Sequence, residues 1–286
     1  MNLIREGIEV PGPNGTKLQV DKWIGRGAFS DVFLAAQLNG PNVYAIKVVR
    51  VNAKEFHDSF QNESKMLSAI QHPNVVRMIY VSDSPDWSPY LILEYANGGS
   101  LEDDITHRAA KKEFLARVDL VHLFNALVEG MKAINQVVLH RDIKLANILL
   151  HDGTPKISDF GVAKHVDTAT RSTTFRGVHD ARCKAPEIWL GESASLVSDI
   201  YSMGIVFYEI ASLSYPYSVT RNEPRINIWQ NAHLSEDPRP PIELNSQISM
   251  AISDLILRML MKEPSDRIQT WDEIKKVCMG ETEVGV

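Results

Sequence analysis

The sequence predicts an α+β chain built as two lobes: a small antiparallel sheet with one helix, then a larger and mainly helical part. Three observations carry this. Short runs rich in β-branched and apolar residues, separated by turn residues, fill the chain up to residue 95. A Gly98-Gly99 pair then gives the backbone flexibility and a change of direction. Beyond it, apolar residues recur at helical spacing, most extensively over 115–137 and 198–213. A length of 286 residues suits two lobes better than one compact unit, and 44% hydrophobic residues suffice for a sizeable core.

Residues 1–17 form a lead-in to which no function is assigned. Its Pro11-Gly12-Pro13-Asn14-Gly15 is turn chemistry and ends it in a small hairpin. Residues 18–24 alternate as a strand. The turn Gly25-Arg26-Gly27-Ala28-Phe29-Ser30-Asp31-Val32 follows. Glycines there let backbone amides approach phosphate oxygens that a Cβ would block, although a pair of this kind also serves as an ordinary turn. Residues 32–38 and 43–51 read as strands joined by the hairpin Asn39-Gly40-Pro41-Asn42. The second carries Ala45-Ile46-Lys47. A lysine inside an apolar strand either snorkels from an edge or meets an anion, because burying it unpaired is costly. The glycine-rich turn upstream favours an anion, the α- and β-phosphates of a nucleotide. Residues 53–70 have helical spacing in Phe56, Phe60, Leu67 and Ile70, contain Glu63, and stop at His72-Pro73-Asn74. Residues 75–81 and 89–95 read as two more strands.

The stretch Leu93-Glu94-Tyr95-Ala96-Asn97-Gly98-Gly99-Ser100 reads either as a strand running into a turn or as a hinge, and its place between the lobes favours the hinge. The helix at 115–137 leads into His140-Arg141-Asp142-Ile143-Lys144-Leu145-Ala146-Asn147, after which Ile148-Leu149-Leu150 forms a short strand. Thr168, Thr170, Ser172, Thr173 and Thr174 crowd a polar stretch that is either a solvated loop or a target of phosphorylation. Further helices fall at 226–232, 248–261 and 271–277. The expected division is a lead-in at 1–17, a first lobe at 18–96, a second lobe at 97–278 and a tail at 279–286.

Composition removes several function classes. The formal charge is −6, with no basic stripe that would ask for a nucleic acid or an anionic membrane. The two cysteines, Cys183 and Cys278, make a disulfide framework improbable and fit a reducing compartment. The N-terminus lacks the apolar core of a signal peptide, and no apolar run approaches the roughly 18 residues that span a bilayer. A cytoplasmic protein is expected; nothing here sets its oligomeric state.

Asp142 can accept a proton from a hydroxyl, while Asn147 and Asp159 can each hold a metal ion, which together make a phosphoryl-transfer centre. The run H-R-D-x-K-x-x-N followed by Asp159-Phe160-Gly161 resembles the catalytic and metal-binding loops of the eukaryotic-type (Hanks-type) protein kinases, and Lys144 resembles the serine/threonine branch. The ordered set Gly25, Gly27, Lys47, Glu63, Asp142, Asn147, Asp159, Glu187, Asp199 and Arg267 extends the resemblance over residues 18–278.

The resemblance implies a bilobal protein-kinase-like fold with ATP held between the lobes and a protein substrate. Ile24, Gly25, Arg26, Gly27, Ala28, Phe29, Ser30 and Val32 would cover the phosphates, with Ser30 replacing the usual third glycine. Ala45, Leu93 and Leu149 would line the adenine pocket, and backbone groups of Glu94 and Ala96 would bond the adenine edge. Lys47 would grip the α- and β-phosphates and pair with Glu63, which stands nine residues before His72 as the family's helix carboxylate does. Leu67, Met78, His140 and Phe160 would stack in a hydrophobic spine. Asn147 and Asp159 would hold Mg²⁺, or Mn²⁺ in its place; Asp142 would be the catalytic base and Lys144 would contact the γ-phosphate. Glu187 and Arg267 would form a structural ion pair, Asp199 would hold the catalytic loop, and Arg141 would pair with a phosphate placed among Thr168–Thr174.

Three departures stand beside the resemblance. Leu145 replaces the loop proline. Residues 175–184 run two longer than usual, lack the threonine that bonds the catalytic Asp and Lys, and put Cys183 at an aromatic position. Ser100 and Ala146 stand where arginine-directed kinases often carry Glu. The rival reading is a pseudokinase-type binding or scaffold module with the same fold. A small-molecule kinase is disfavoured by Ala185-Pro186-Glu187, which such enzymes generally lack.

Overall fold

The computed structural model describes residues 3–26, 30–49, 64, 68–82, 86–159, 181–219 and 223–283. These fall into two compact units, one up to Asn97 and one from Gly98 onward.

The first unit is a six-stranded antiparallel sheet. Its strands are β1 (Glu9–Pro11), β2 (Lys17–Arg26), β3 (Ser30–Gln37), β4 (Val43–Val49), β5 (Met78–Val81) and β6 (Tyr90–Glu94), in the spatial order β1-β2-β3-β4-β6-β5. Short turns set the pairing. Asn39 takes the left-handed φ of +60° that the β3–β4 hairpin needs, a conformation that asparagine tolerates better than most residues.

Alternation along these strands sorts their side chains onto two faces. One face buries Leu18 and Val20 of β2, Phe33 and Ala35 of β3, Ile46 and Val48 of β4, and Tyr90 and Ile92 of β6. Ile4 and Val10 complete this core. The lead-in is thus part of the fold. The amide of Gly7 donates to Val20 (2.8 Å) and the amide of Val20 to Ile8 (2.9 Å). The Tyr90 hydroxyl donates to the Pro11 carbonyl at 2.7 Å. Positions of the other parity form two rows in register across the sheet: Val32, Lys47 and Leu91, and Leu34, Ala45 and Leu93.

The second unit is mainly helical. Its seven α-helices among the described residues are α1 (Leu101–Lys111), α2 (Arg117–Asn135), α3 (Pro186–Trp189), α4 (Leu196–Ser212), α5 (Ile226–Ser235), α6 (Met250–Met259) and α7 (Trp271–Glu283). A two-stranded ribbon joins them, β7 (Ile148–His151) with β8 (Thr154–Ile157).

Helix α4 is buried on nearly all sides, as its apolar sequence requires. Phe207 on α4 stacks on Phe124 of α2 with ring centroids 3.7 Å apart. Gly204 lets α6 approach: a Cβ there would lie 2.9 Å from Cβ of Met259. Helix α1 is mostly polar and buries Leu101 and Ile105. A capping box fixes its start, with Ser100 Oγ accepting from the Asp103 amide and the Asp103 carboxylate accepting from the Ser100 amide.

Gly98 and Gly99 do more than turn the chain. The Gly98 amide donates to the Leu150 carbonyl (2.8 Å) and the Leu150 amide to Gly99 (2.9 Å), so the pair is laced to β7. Gly99 has φ +76°. A Cβ on Gly98 would sit 2.9 Å from the Leu150 carbonyl oxygen. Close backbone approach sets the residue type here.

Candidate active site

The stretch from His140 to Asn147 enters from the end of α2 and leaves as a single 3-10 turn, Leu145–Asn147, into β7. Asp199, in the first turn of α4, organises it. Its Oδ2 accepts from the amide of His140 (2.8 Å) and from Asn135 Nδ2 (3.0 Å), and its Oδ1 accepts from the amide of Arg141 (2.9 Å). A buried carboxylate on three N–H donors is well compensated. Asn135 is itself fixed by Trp271, whose indole N–H donates to Asn135 Oδ1 at 2.8 Å. Neither Asn135 nor Trp271 stands out in the sequence, because their link spans |i−j| = 136.

Arg141 has φ +64°, a strained value for a residue with a Cβ. The Asp199 bonds to the amides of His140 and Arg141 hold it there. The turn brings the Asp142 amide to His140 Nδ1 at 3.2 Å. Since Nδ1 accepts, the ring proton is on Nε2, which donates to the Ser158 carbonyl at 3.1 Å.

The Asp142 carboxylate makes three contacts with two donors. Lys144 Nζ lies 3.1 Å from Oδ1 and 2.9 Å from Oδ2, and Asn147 Nδ2 lies 2.9 Å from Oδ2. Asn147 Nδ2 also donates to the Asp142 carbonyl at 2.8 Å. Side chains of Asp142 and Lys144 remain 29% and 22% exposed. Asn147 is 6% exposed, and its Oδ1 accepts no hydrogen bond from the described residues. Ser158 donates twice to the Asn147 carbonyl, from its amide (2.8 Å) and its hydroxyl (3.0 Å), which ties the end of β8 to the stretch from His140 to Asn147. Asp159 follows with φ +60° and an exposed side chain. A carboxamide oxygen and a carboxylate, both hard donors, are chemistry that fits a divalent cation such as Mg²⁺.

Glu187, at the start of α3, and Arg267 form a buried pair. Arg267 Nη1 donates to Oε1 (2.9 Å) and Nη2 to Oε2 (3.1 Å), and Ser198 Oγ donates to Oε1 (2.6 Å). The remaining guanidinium protons go to carbonyls of Val197, Met261 and Lys262. All five N–H groups are used. Burial alone would raise the Glu187 carboxyl, but the bonds from Arg267 and Ser198 outweigh it and hold the group below the usual carboxylate range.

In the first unit, Lys47 is 9% exposed, between Val32 and Leu91 in its row. Ala45 is paired with Leu93. Gly25 pairs with Val32, Arg26 with Asp31, and Ser30 with Val49. An Arg26–Asp31 ion pair of 2.9 Å closes the base of that hairpin, and Ile24 lies half-exposed before it. The Glu94 amide donates to the Arg77 carbonyl at 2.9 Å. Ala96 follows β6, and Leu149 lies on β7 opposite Ser100. Gly27, Ala28, Phe29, Glu63, Leu67, Phe160, Thr168, Thr170, Ser172, Thr173 and Thr174 lie outside the described residues.

Among the described residues no helix is long and apolar enough to cross a membrane, and no group of three or more His, Cys, Asp or Glu side chains could hold a metal ion.

Comparison with known proteins agrees with this architecture. The protein kinase domain family matches residues 18–278. Serine/threonine-protein kinase PknB of Mycobacterium leprae is 30% identical over 265 residues, covering 88% of this chain and 41% of its own length. Serine/threonine-protein kinase PrkC of Bacillus subtilis is 29% identical over 263 residues, covering 91% of this chain and 39% of its own. PknB of Mycobacterium tuberculosis is 27% identical over 281 residues, covering 94% and 43%. The chain therefore spans about two fifths of the length of these relatives. A match over nearly all of the chain, joined to a sheet unit and a helical unit carrying the expected loop, places it: the chain belongs to the protein kinase domain family.

Proposed function

We propose that the protein is an ATP-dependent serine/threonine protein kinase, moving the γ-phosphoryl group of ATP to a protein hydroxyl. The observation that carries this is the Asp142 carboxylate, partly exposed and oriented by Lys144 and Asn147 on a loop pinned by Asp199. Asp142 orients the acceptor hydroxyl and takes its proton. Lys144 contacts the γ-phosphate, and its ammonium offsets charge gathering on the transferred group. Lys47, with Glu63 as counter-ion, holds the α- and β-phosphates. Ile24 to Val32 cover the phosphates, while Ala45, Leu93 and Leu149 pack on the adenine. The Glu94 amide is occupied by Arg77, so Glu94 meets the base edge through its carbonyl and Ala96 supplies the other contact.

Asn147 Oδ1 and the Asp159 carboxylate would hold Mg²⁺, or Mn²⁺, which when bound neutralises charge between the β- and γ-phosphates. The chain's own contribution is positioning: Ser158 keeps Asp159 beside Asn147, and Asp142 holds Asn147 Nδ2, which leaves Oδ1 turned away from the Asp142 carboxylate. The transition state of phosphoryl transfer is loose, so orientation and electrostatics carry most of the rate gain. Protein serine or threonine as acceptor is supported by Lys144 and by the names of the relatives.

The test is transfer from labelled ATP with Mg²⁺ to dephosphorylated casein, run beside Asp142→Asn. The variant should bind ATP and transfer nothing above background. Equal labelling by both proteins would overturn the assignment of Asp142, and binding without transfer by the unaltered protein would make it a scaffold.

A further inference from the structure

A buried polar chain runs through the second unit that the proposed chemistry does not use. It joins Tyr201 of α4, Tyr215 and Tyr217 of the following loop, and His233 of α5. The Tyr201 hydroxyl lies 2.6 Å from that of Tyr217 and 2.8 Å from His233 Nδ1. The Tyr215 hydroxyl lies 3.0 Å from His233 Nε2 and donates to the carbonyl of Arg182. Only one arrangement of protons satisfies every contact. Tyr215 has one hydroxyl proton and gives it to Arg182, so toward His233 it must accept. His233 therefore carries its proton on Nε2, and Nδ1 accepts from Tyr201, whose oxygen accepts from Tyr217. The bonds all point one way, from Tyr217 to the Arg182 carbonyl. Burial pushes the His233 imidazole down to about 3, so it stays neutral and the chain stays intact in ordinary buffers.

The end of this chain lies where substrate chemistry is expected. Glu102, which accepts from Arg182, sits on α1, and α1 packs against the Leu145–Asn147 turn just after Asp142, so the segment lies near that carboxylate. The segment is held from two more sides. Ser202 Oγ donates to the Cys183 carbonyl at 2.7 Å, and the Arg182 guanidinium donates to Glu102 of α1 at 2.8 Å. Three side chains from three segments, Tyr215, Ser202 and Glu102, thus fix two consecutive residues that bear no catalytic group. This is also the stretch where the sequence lacks the family's threonine brace.

We propose that Tyr215, backed by His233, is a positioning residue for the protein substrate: its hydroxyl fixes the Arg182 carbonyl and so the backbone of residues 181–184, along which the acceptor chain lies. The proposal rests on the kinase reading above. The precise placement of an acceptor hydroxyl depends on the rigidity of the surface that receives its neighbours.

Tyr215→Phe is compared with Tyr217→Phe. Both remove one buried hydroxyl, but Tyr217 is at the far end and its loss leaves the Tyr201–His233–Tyr215–Arg182 links in place. Kinetics use a peptide pool with a fixed central Ser or Thr, and hydrogen exchange reads the amides of residues 181–184. Tyr215→Phe should raise the KM for peptide about tenfold, the worth of one lost buried hydrogen bond, with the KM for ATP unchanged. It should also speed exchange at 181–184, whereas Tyr217→Phe lowers Tm and changes neither reading. An unchanged peptide KM in Tyr215→Phe, or an equal rise in Tyr217→Phe, overturns the proposal. If the unaltered protein transfers no phosphate, the kinase reading fails by itself; exchange then decides the clamp, faster exchange in Tyr215→Phe supporting it and unchanged exchange refuting it.

Discussion

Asp199 Oδ2 and the amide nitrogen of His140 lie 2.8 Å apart across 59 residues of sequence. With the second bond to Arg141, this contact holds a backbone that would otherwise relax from φ +64°. Strain of this kind persists only where its surroundings over-determine it. Replacing Asp199 with Asn puts an N–H pair against one of two backbone N–H groups. The expected result is a loss of phosphoryl transfer of about 100-fold, out of proportion to a stability loss of about 1–3 kcal/mol. Transfer kinetics beside thermal unfolding would check it; a fall in Tm with undiminished kcat would show that the loop keeps its form without Asp199.

Glu187 and Arg267 should behave as a unit. Arg267→Ala strands a buried carboxylate and is expected to cost about 3–5 kcal/mol. Adding Glu187→Gln should recover part of that loss, because a neutral amide tolerates the site better than an unpaired charge. Urea unfolding of the two single variants and the double variant gives the coupling. Acid should act through the same pair. The Glu187 carboxyl is held low in the fold, so its stabilisation is complete above the ordinary carboxylate range and is lost as pH falls through its depressed value.

His233 gives a pH dependence nearer neutrality. Its folded value is about 3 and an unfolded histidine titrates near ~6.5. Between these values the unfolded chain binds a proton that the fold refuses. Stability should be full above about pH 6.5 and fall by as much as about 1.4 kcal/mol per pH unit as pH drops toward the folded value. His233→Gln, which cannot titrate, should show a shallower slope between pH 6.5 and 5 than the unaltered protein; equal slopes in thermal unfolding would show that the imidazole does not carry the effect.

Gly98 predicts a steric effect. A methyl group there must displace the Leu150 carbonyl from 2.9 Å, and backbone yields less readily than a side chain. Gly98→Ala should cost about 1–3 kcal/mol. Gly99→Ala should also destabilise, through its φ of +76°. An unchanged Tm in Gly98→Ala would show that the backbone at Leu150 yields without cost.

Much of this architecture was legible in the sequence because it is periodic or punctuated. The β3–β4 hairpin announces itself through Asn39-Gly40, and α2 and α4 through helical spacing. The motif from His140 to Asn147 is legible because its residues are close in sequence. Features that join residues distant in the chain leave no such mark in the sequence. The lead-in looks like mere turn chemistry, since only the folded sheet shows that Ile4 and Val10 complete a core. Helix α1 buries two side chains and so lacks a strong apolar stripe, although Ser100 and Asp103 form a capping box that could have marked its start. The chain from Tyr217 to Arg182 joins separate segments, and no spacing encodes it. In the sequence the glycine pair speaks only of backbone freedom, and the fold adds the close approach of Gly98 to the Leu150 carbonyl.

The two-faced sheet bears on how this chain can change. Along β4, Ile46 and Val48 face a core closed by the lead-in, while Ala45 and Lys47 stand in the rows with Leu93 and Leu91. Core positions and proposed nucleotide contacts thus alternate like letters of one short word. Tolerance to substitution should oscillate with a period of two along this strand: abundance suffers at 46 and 48, activity at 45 and 47. A single-residue insertion or deletion would exchange the two roles at once, so drift in this strand is confined to replacement, letter by letter.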